Sequence, residues 1–157
     1  MNPIRVLLLE DDQKLAGILV RGLADDGLSV DVAVTGAQAL AMACRTDYDA
    51  MILDVMLPGM DGLEACRRLR RGGLSVPVLV ISARDDLTER DLRDAGADQF
   101  MTKPLRVAEL GERVRRPRSD PAWPAPTSGD PAGFRGPATH IGWWGTIFRS
   151  RRGAPSR

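Results

Sequence analysis

The stretch MILDVMLPGMDG, residues 51–62, opens as an apolar run and stops on one carboxylate, Asp54. A proline and two glycines follow within eight residues. Two explanations compete for an acid at the end of such a run. Either the strand simply leaves the core there and meets water, or the strand holds Asp54 rigidly at the mouth of a site. The flanking sequence decides between them.

On both sides of this stretch, short apolar runs alternate with helical periods. IRVLLL (4–9) suits a buried strand, and DQKLAGILVRGLADDG (12–27) carries Leu15, Ile18, Leu19, Gly22 and Leu23 on one helical face. A half-buried strand at 28–34 precedes a helix at 35–45 with Thr35 as its cap. YDAMILD (48–54) is the third strand, and GLEACRRLRR (62–71) the helix after it, ending at Gly72 and Gly73. VPVLVIS (76–82), a helix over 85–96 with acids in its first turn, ADQFMT (97–102) and a last helix over 105–116 complete the series. Parallel neighbours need crossovers, and right-handed ones, so five strands alternating with five helices predict a parallel sheet covered on both faces. Such sheets bind ligands beyond the carboxyl ends of their strands. Periodicity does not give the strand order.

The 157 residues suffice for one domain with a real core, and 43% hydrophobic with 27% charged residues is the balance of a soluble globular protein. No apolar run approaches a membrane span, and no secretion leader opens the chain, so a cytoplasmic protein without membrane partners is expected. Cys44 and Cys66 show no CxxC spacing and are expected to be small, reduced and buried. The net charge of +1 divides unevenly: residues 1–116 hold 16 basic against 19 acidic side chains, and residues 117–157 hold 6 Arg against 2 Asp. Beyond Pro117 neither period persists. That segment holds 7 of the 11 prolines, all 3 tryptophans and no lysine, so ordering it would gain little burial against its backbone entropy. A disordered tail over 117–157 is expected. Within it HIGWWGTIFRSRR (140–152) has the alternative of a short amphipathic patch, and lone His140 carries no metal argument.

The strand ends carry the chemistry. Glu10, Asp11 and Asp12 come directly after the first strand, Asp54 ends the third, Ser82 ends the fourth, and Lys103 comes after the fifth. In a parallel sheet all of these fall on one edge, so acids, a hydroxyl and an ammonium converge. Crowded carboxylates over an apolar core repel one another. A hard divalent cation such as Mg2+ relieves them, being content with one or two carboxylates, waters and phosphate oxygens. Lys103 can pair with Asp54, and Ser82 can turn its hydroxyl toward a new oxygen. A carboxylate so flanked is set up to attack phosphorus.

LLLEDD (7–12), MILDVMLPGMDG, VLVISAR (78–84) and GADQFMTKPL (96–105) together resemble the receiver domain of two-component response regulators, from about residue 4 to about residue 115. Details lean toward the OmpR/PhoB-type subfamily, whose receivers precede a winged-helix DNA-binding domain. The resemblance implies a flavodoxin-like (βα)5 doubly wound parallel five-stranded sheet over residues 1–116. It makes Asp54 the phosphoacceptor, with Glu10, Asp11, Asp54 and the backbone carbonyl of Met56 as Mg2+ ligands. It makes Ser82 the switch hydroxyl, Lys103 the family's lysine, Pro104 the site of a cis peptide, and Phe100 the switch aromatic. Met56 and Arg84 stand at positions that tune loss of the acyl phosphate, and Asp12 is expected to be a helix cap. The implied partner is a sensor histidine kinase. The implied activity is self-phosphorylation on Asp54 and slow autodephosphorylation rather than enzymatic turnover, in the intact family to control transcription.

Read singly, the same residues are plainer. Asp54 would be a turn residue, Lys103 a solvated lysine, Ser82 a cap for a helix starting near Asp85, and RRLRR (67–71) a solvated helix end. Three features depart from the family pattern. Gln99 replaces an acid that joins a salt-bridge network across the dimer face, Arg93 replaces an apolar residue on the fourth helix, and the fifth helix breaks early at Pro117. A homodimer through the fourth helix, fifth strand and fifth helix is therefore expected to be impaired. A winged-helix domain needs roughly a further hundred residues, and no DNA-binding domain is visible in the tail. Its Arg, Pro, Gly and Trp bias resembles GC-rich DNA read out of frame. The open readings are a truncated, non-functional relic of a DNA-binding regulator and a stand-alone receiver with an extension. A third alternative is a Mg2+-dependent phosphohydrolase with an aspartyl nucleophile, against which Met56 stands where such enzymes carry a second acid.

Overall fold

The structure, a computed structural model, describes residues 2–115. The expected tail at 117–157, the break at Pro117 and the patch at 140–152 lie outside the described residues. The elements run β1 (Ile4–Leu9), α1 (Gln13–Asp25), β2 (Leu28–Ala33), α2 (Gly36–Arg45), β3 (Ala50–Asp54), α3 (Gly62–Arg71), β4 (Val78–Ser82), α4 (Glu89–Ala95), β5 (Gln99–Thr102) and α5 (Val107–Arg115). All pairings are parallel, and the order is β2-β1-β3-β4-β5. The order reverses at β1, between β2 and β3, where such sheets open a crevice.

Side chains alternate across each strand, so each central strand feeds two cores. Leu7, Leu9, Met51, Leu53, Val78 and Val80 meet buried residues of α2, α3 and α4, among them Ala39, Cys66 and Leu92. Val6, Leu8, Ile52, Leu79 and Ile81 meet Ala16, Leu19 and Leu23 of α1 and Leu110 and Val114 of α5. Burial on both faces explains why β1, β3 and β4 read as continuous apolar runs rather than as alternating ones. Among the described residues no helix is long and apolar enough to cross a membrane.

Four expectations are corrected. The fourth helix starts at Glu89, not near Asp85, because Thr88 and Asp91 close a reciprocal cap: Asp91 N–H donates to Thr88 Oγ1 at 3.1 Å, and Thr88 N–H donates to Asp91 Oδ2 at 2.9 Å. Ser82 is consequently not that helix's cap. Cys44 is exposed on the outer face of α2, and only Cys66 is buried. The run at 67–71 is not uniformly solvated: Arg70 turns inward and donates to the carbonyls of Leu74, Val76 and Gly96 and to Asp98 Oδ2.

Candidate functional site

The site is built from the last residues of β1, β3 and β4 and the first residues after β5. Glu10 extends the β1 ladder by one step, its N–H donating to Ala33 O at 3.0 Å, and this draws its side chain under the surface to 1% exposure. The chain then turns into α1. Asp12 caps that helix, accepting from the N–H groups of Lys14 and Leu15, as its position in the sequence leads one to expect. Asp11, between them, is exposed.

Asp54 is also 1% exposed, so the strand does not carry it out into water. Its Oδ1 accepts from Met56 N–H at 3.0 Å and its Oδ2 from Lys103 Nζ at 2.9 Å. The loop after it folds back tightly, with Asp61 capping α3 and Gly62 N–H donating to Val55 O. A Cβ at Gly62 would sit 2.1 Å from the Asp54 carbonyl oxygen, so only glycine lets α3 begin this close to β3. In sequence Gly62 reads only as a turn glycine. Its role in seating Asp54 has no local signal, since it depends on a tertiary approach.

Lys103 arrives from the far edge of the sheet. Its N–H donates to Ser82 O at 2.8 Å, and the Lys103–Pro104 peptide is cis, as expected. Its ammonium reaches Asp54 and also Glu10 Oε2, at 3.0 Å, a second partner the sequence does not suggest. Ser82 is fully buried at the end of β4, and its Oγ accepts from Arg84 N–H at 3.0 Å. Arg84 is held in turn by Asp86. Met56 meets Asp54 through its amide while its side chain stands 55% exposed beside the site. Phe100 is half-buried on β5, packed against the core on the α2–α4 side rather than within the acidic cluster. The structure thus brings Glu10, Asp11, Asp54 and Lys103 together, with Ser82 on the neighbouring strand end and Phe100 apart.

Burial pushes the Glu10 carboxyl up to about 7. Lys103 and the Asp12 N–H pull it down, and the Asp54 charge adds to the rise. For Lys103, burial works against the charge, but the bonds to Asp54 and Glu10 outweigh it and hold the ammonium above its ordinary value. One lysine therefore serves the two buried acids. Glu10, Asp11 and Asp54 each offer a carboxylate oxygen, all within 4.8 Å of one another, two from below the surface and one from solvent. An all-oxygen set of this kind with surplus negative charge fits a hard divalent cation.

The response regulator receiver domain model matches residues 6–115. The transcriptional regulatory protein TcrA of Mycobacterium tuberculosis is 44% identical over 116 residues, covering 73% of this chain and 46% of TcrA. The chain thus spans about half the length of the curated relatives it matches. Among solved structures, a putative response regulator from Chloroflexus aurantiacus is 35% identical with a TM-score of 0.67, over 71% of this chain and 94% of that one. The response regulator protein TrrA from Thermotoga maritima, in complex with Mg(2+)-BeF, is 29% identical with a TM-score of 0.64, over 70% and 95%. Strand order, acidic strand ends and sequence agree: this chain belongs to the response regulator receiver domain family.

Proposed function

We propose that Asp54 accepts a phosphoryl group from the phosphohistidine of a sensor histidine kinase. A carboxylate oxygen of Asp54 bonds to phosphorus as the P–N bond breaks, and the bonding pair returns to the imidazole nitrogen. The observation that carries this reading is Lys103 Nζ, 2.9 Å from Asp54 Oδ2 and 3.0 Å from Glu10 Oε2, both carboxylates being buried. The ammonium pairs with Asp54 and aims it at rest, and it lies where phosphoryl oxygens would accumulate charge. Ser82, whose hydroxyl proton is not committed to any described partner, turns to donate to one of those oxygens. Phe100 responds by changing its packing on β5.

Glu10, Asp11 and Asp54, with the Met56 carbonyl, are the groups that would hold Mg2+. When bound, that ion offsets the negative charge of the acids and of the phosphoryl oxygens. The TrrA structure holds Mg2+ with beryllium fluoride, and the same pairing suits the donor set here. The chain's own contribution is positioning and slow self-hydrolysis rather than turnover. A cytoplasmic place beside a kinase is consistent with that role. Control of transcription belongs to TcrA, and for this chain it is part of the proposal. The α4–β5–α5 face is the proposed surface for a second copy. It is weakened because Gln99 brings no charge and Arg93 is engaged with Glu89 on its own helix.

The test is incubation of the whole chain with acetyl phosphate and Mg2+, and then measurement of intact mass. One added phosphoryl group on the wild type and none on Asp54→Ala is the expected result. Equal labelling of both, or no labelling of folded wild type, refutes the assignment.

A further inference from the structure

The seam between β5 and α5 holds two polar atoms whose bonding is incomplete. Arg113, on α5, is a charged residue whose side chain is only 6% exposed. Its Nη1 donates to the backbone carbonyl of Phe100 at 3.2 Å, and its Nη2 to Glu109 at 2.8 Å. Its Nε–H has no acceptor among the described residues, although it is sealed from solvent. Gln99, the residue before Phe100, reaches the same helix, its Nε2 donating to Arg113 O at a long 3.5 Å. Its Oε1 is likewise buried and has no donor among the described residues. Buried polar groups are overwhelmingly paired, and each exception costs the full desolvation of that group. Here the exceptions are one donor and one acceptor, complementary to each other and on residues already in contact.

We propose that this seam is a two-position latch, in which the Arg113 guanidinium alternates between the Phe100 carbonyl and the side-chain oxygen of Gln99. In the second position Arg113 Nε–H donates to Gln99 Oε1, and Nη1 leaves Phe100 O. One hydrogen bond is exchanged for another, so the two positions have the same number of bonds, and a modest input decides between them. The ion pair with Glu109 lies within α5 and does not need to change. The input comes from the site, and this part rests on the phosphoacceptor reading. Lys103 stands three residues after Phe100 at the end of β5, and its ammonium is held by Asp54 and Glu10. A phosphoryl group on Asp54 re-aims that ammonium and pulls on β5. The Phe100 carbonyl, which Arg113 grips, lies on the same edge strand. Release of that carbonyl frees Phe100 to repack, and α5 senses it through Arg113.

The Nε–H of Arg113 reports its own partner. Using the full chain labelled with nitrogen-15, the Arg113 signal is assigned by its loss in Arg113→Lys and tracked with and without Mg2+ and beryllium fluoride. In the wild type, loading is expected to move the signal downfield and slow its exchange with solvent by about tenfold. Gln99→Leu is expected to take up beryllium fluoride and show no such change. Gln99→Glu, offering a charged acceptor, is expected to move the signal without any loading. A loaded wild type with an unmoved Nε–H, or the same change in Gln99→Leu, overturns the latch. Failure of wild type to load while Gln99→Glu still moves the signal instead sinks the phosphoacceptor reading and leaves the latch standing.

Discussion

The two ends of the sheet both gather charge, and they handle it differently. At the amino ends, Arg5 pairs with Asp31, which also accepts from the Tyr48 hydroxyl, and the Arg5 guanidinium lies 5.6 Å over the Tyr48 ring. Arg70 closes the turns before β4 and β5, holding three carbonyls and Asp98, whose Oδ2 also accepts from Val78 N–H. Each of these charges has an opposite charge or a ring of acceptors, and the outcome is rigidity. At the carboxyl ends two acids are buried and share one lysine, and a third acid stands beside them. That imbalance costs folding energy. Matched charge marks architecture, and surplus charge marks the proposed phosphoryl and Mg2+ site.

The sharpest way to break this contrast is to remove the central cation of the matched end. Arg70→Ala removes the donor that three carbonyls share and the cation paired with the mostly buried Asp98, and removing one partner of such a pair is expected to cost about 3 kcal/mol. Denaturant unfolding should show that loss in full, while phosphoryl uptake by the remaining folded protein stays at the wild-type rate. If uptake fell in proportion to stability, the two ends would not be separable, and charge matching would not distinguish architecture from site.

Gly62→Ala attacks the surplus end through its scaffold. The added methyl meets the Asp54 carbonyl and the Val55 nitrogen, backbone atoms with no rotamer to yield, so α3 must shift away from β3. A cost of about 2 kcal/mol is expected for such overpacking. Unlike Arg70→Ala, it should also depress uptake, because Asp54 moves with its carbonyl. A stability change without a change in labelling would show that Asp54 is positioned by Lys103 and Met56 alone.

The contrast also explains what is legible in the sequence. Buried parallel strands and amphipathic helices write their periods into local sequence, and a chemical residue at each strand end announces itself by position, as Glu10, Asp54, Ser82 and Lys103 do. Strand order leaves no local trace. Nor does the partner of a long side chain: Arg70 resembles its neighbours Arg68 and Arg71, and contacts that include ones 26 and 28 residues away give it a different place. The start of α4 is ambiguous for another reason. Asp85, Asp86 and Thr88 are all capping residues, and Asp86 has Glu89 at the same spacing that Thr88 has Asp91, so sequence alone does not choose; the cap that forms is the Thr88–Asp91 one. The exposure of Cys44 turns on which face of α2 meets the sheet, which small residues on both faces leave unmarked.

The mildest prediction concerns the proton on Glu10. Folding raises this carboxyl from its ordinary 4.5 to about 7, first through burial and then through the Asp54 charge, against the pull of Lys103 and the Asp12 N–H. The folded chain therefore binds this proton more tightly than the unfolded chain does. The stability contributed is complete below about pH 4.5 and is lost as pH rises to about 7. Without Mg2+, wild type should lose ground to Glu10→Gln across that window, because the amide, although it keeps only one of the two acceptor oxygens used by the Asp12 N–H and Lys103, never has to carry a buried charge. Mg2+ reverses the sense. A carboxylate must shed its proton to bind the ion, so wild-type Mg2+ affinity should climb through the same window, by up to roughly tenfold per pH unit, and level off above it. Paired melting curves and Mg2+ titrations of the two proteins from pH 5 to 8, about three units of range, make the comparison. Parallel profiles would mean that Glu10 is ionised throughout, and that Lys103 alone suffices to balance the pocket.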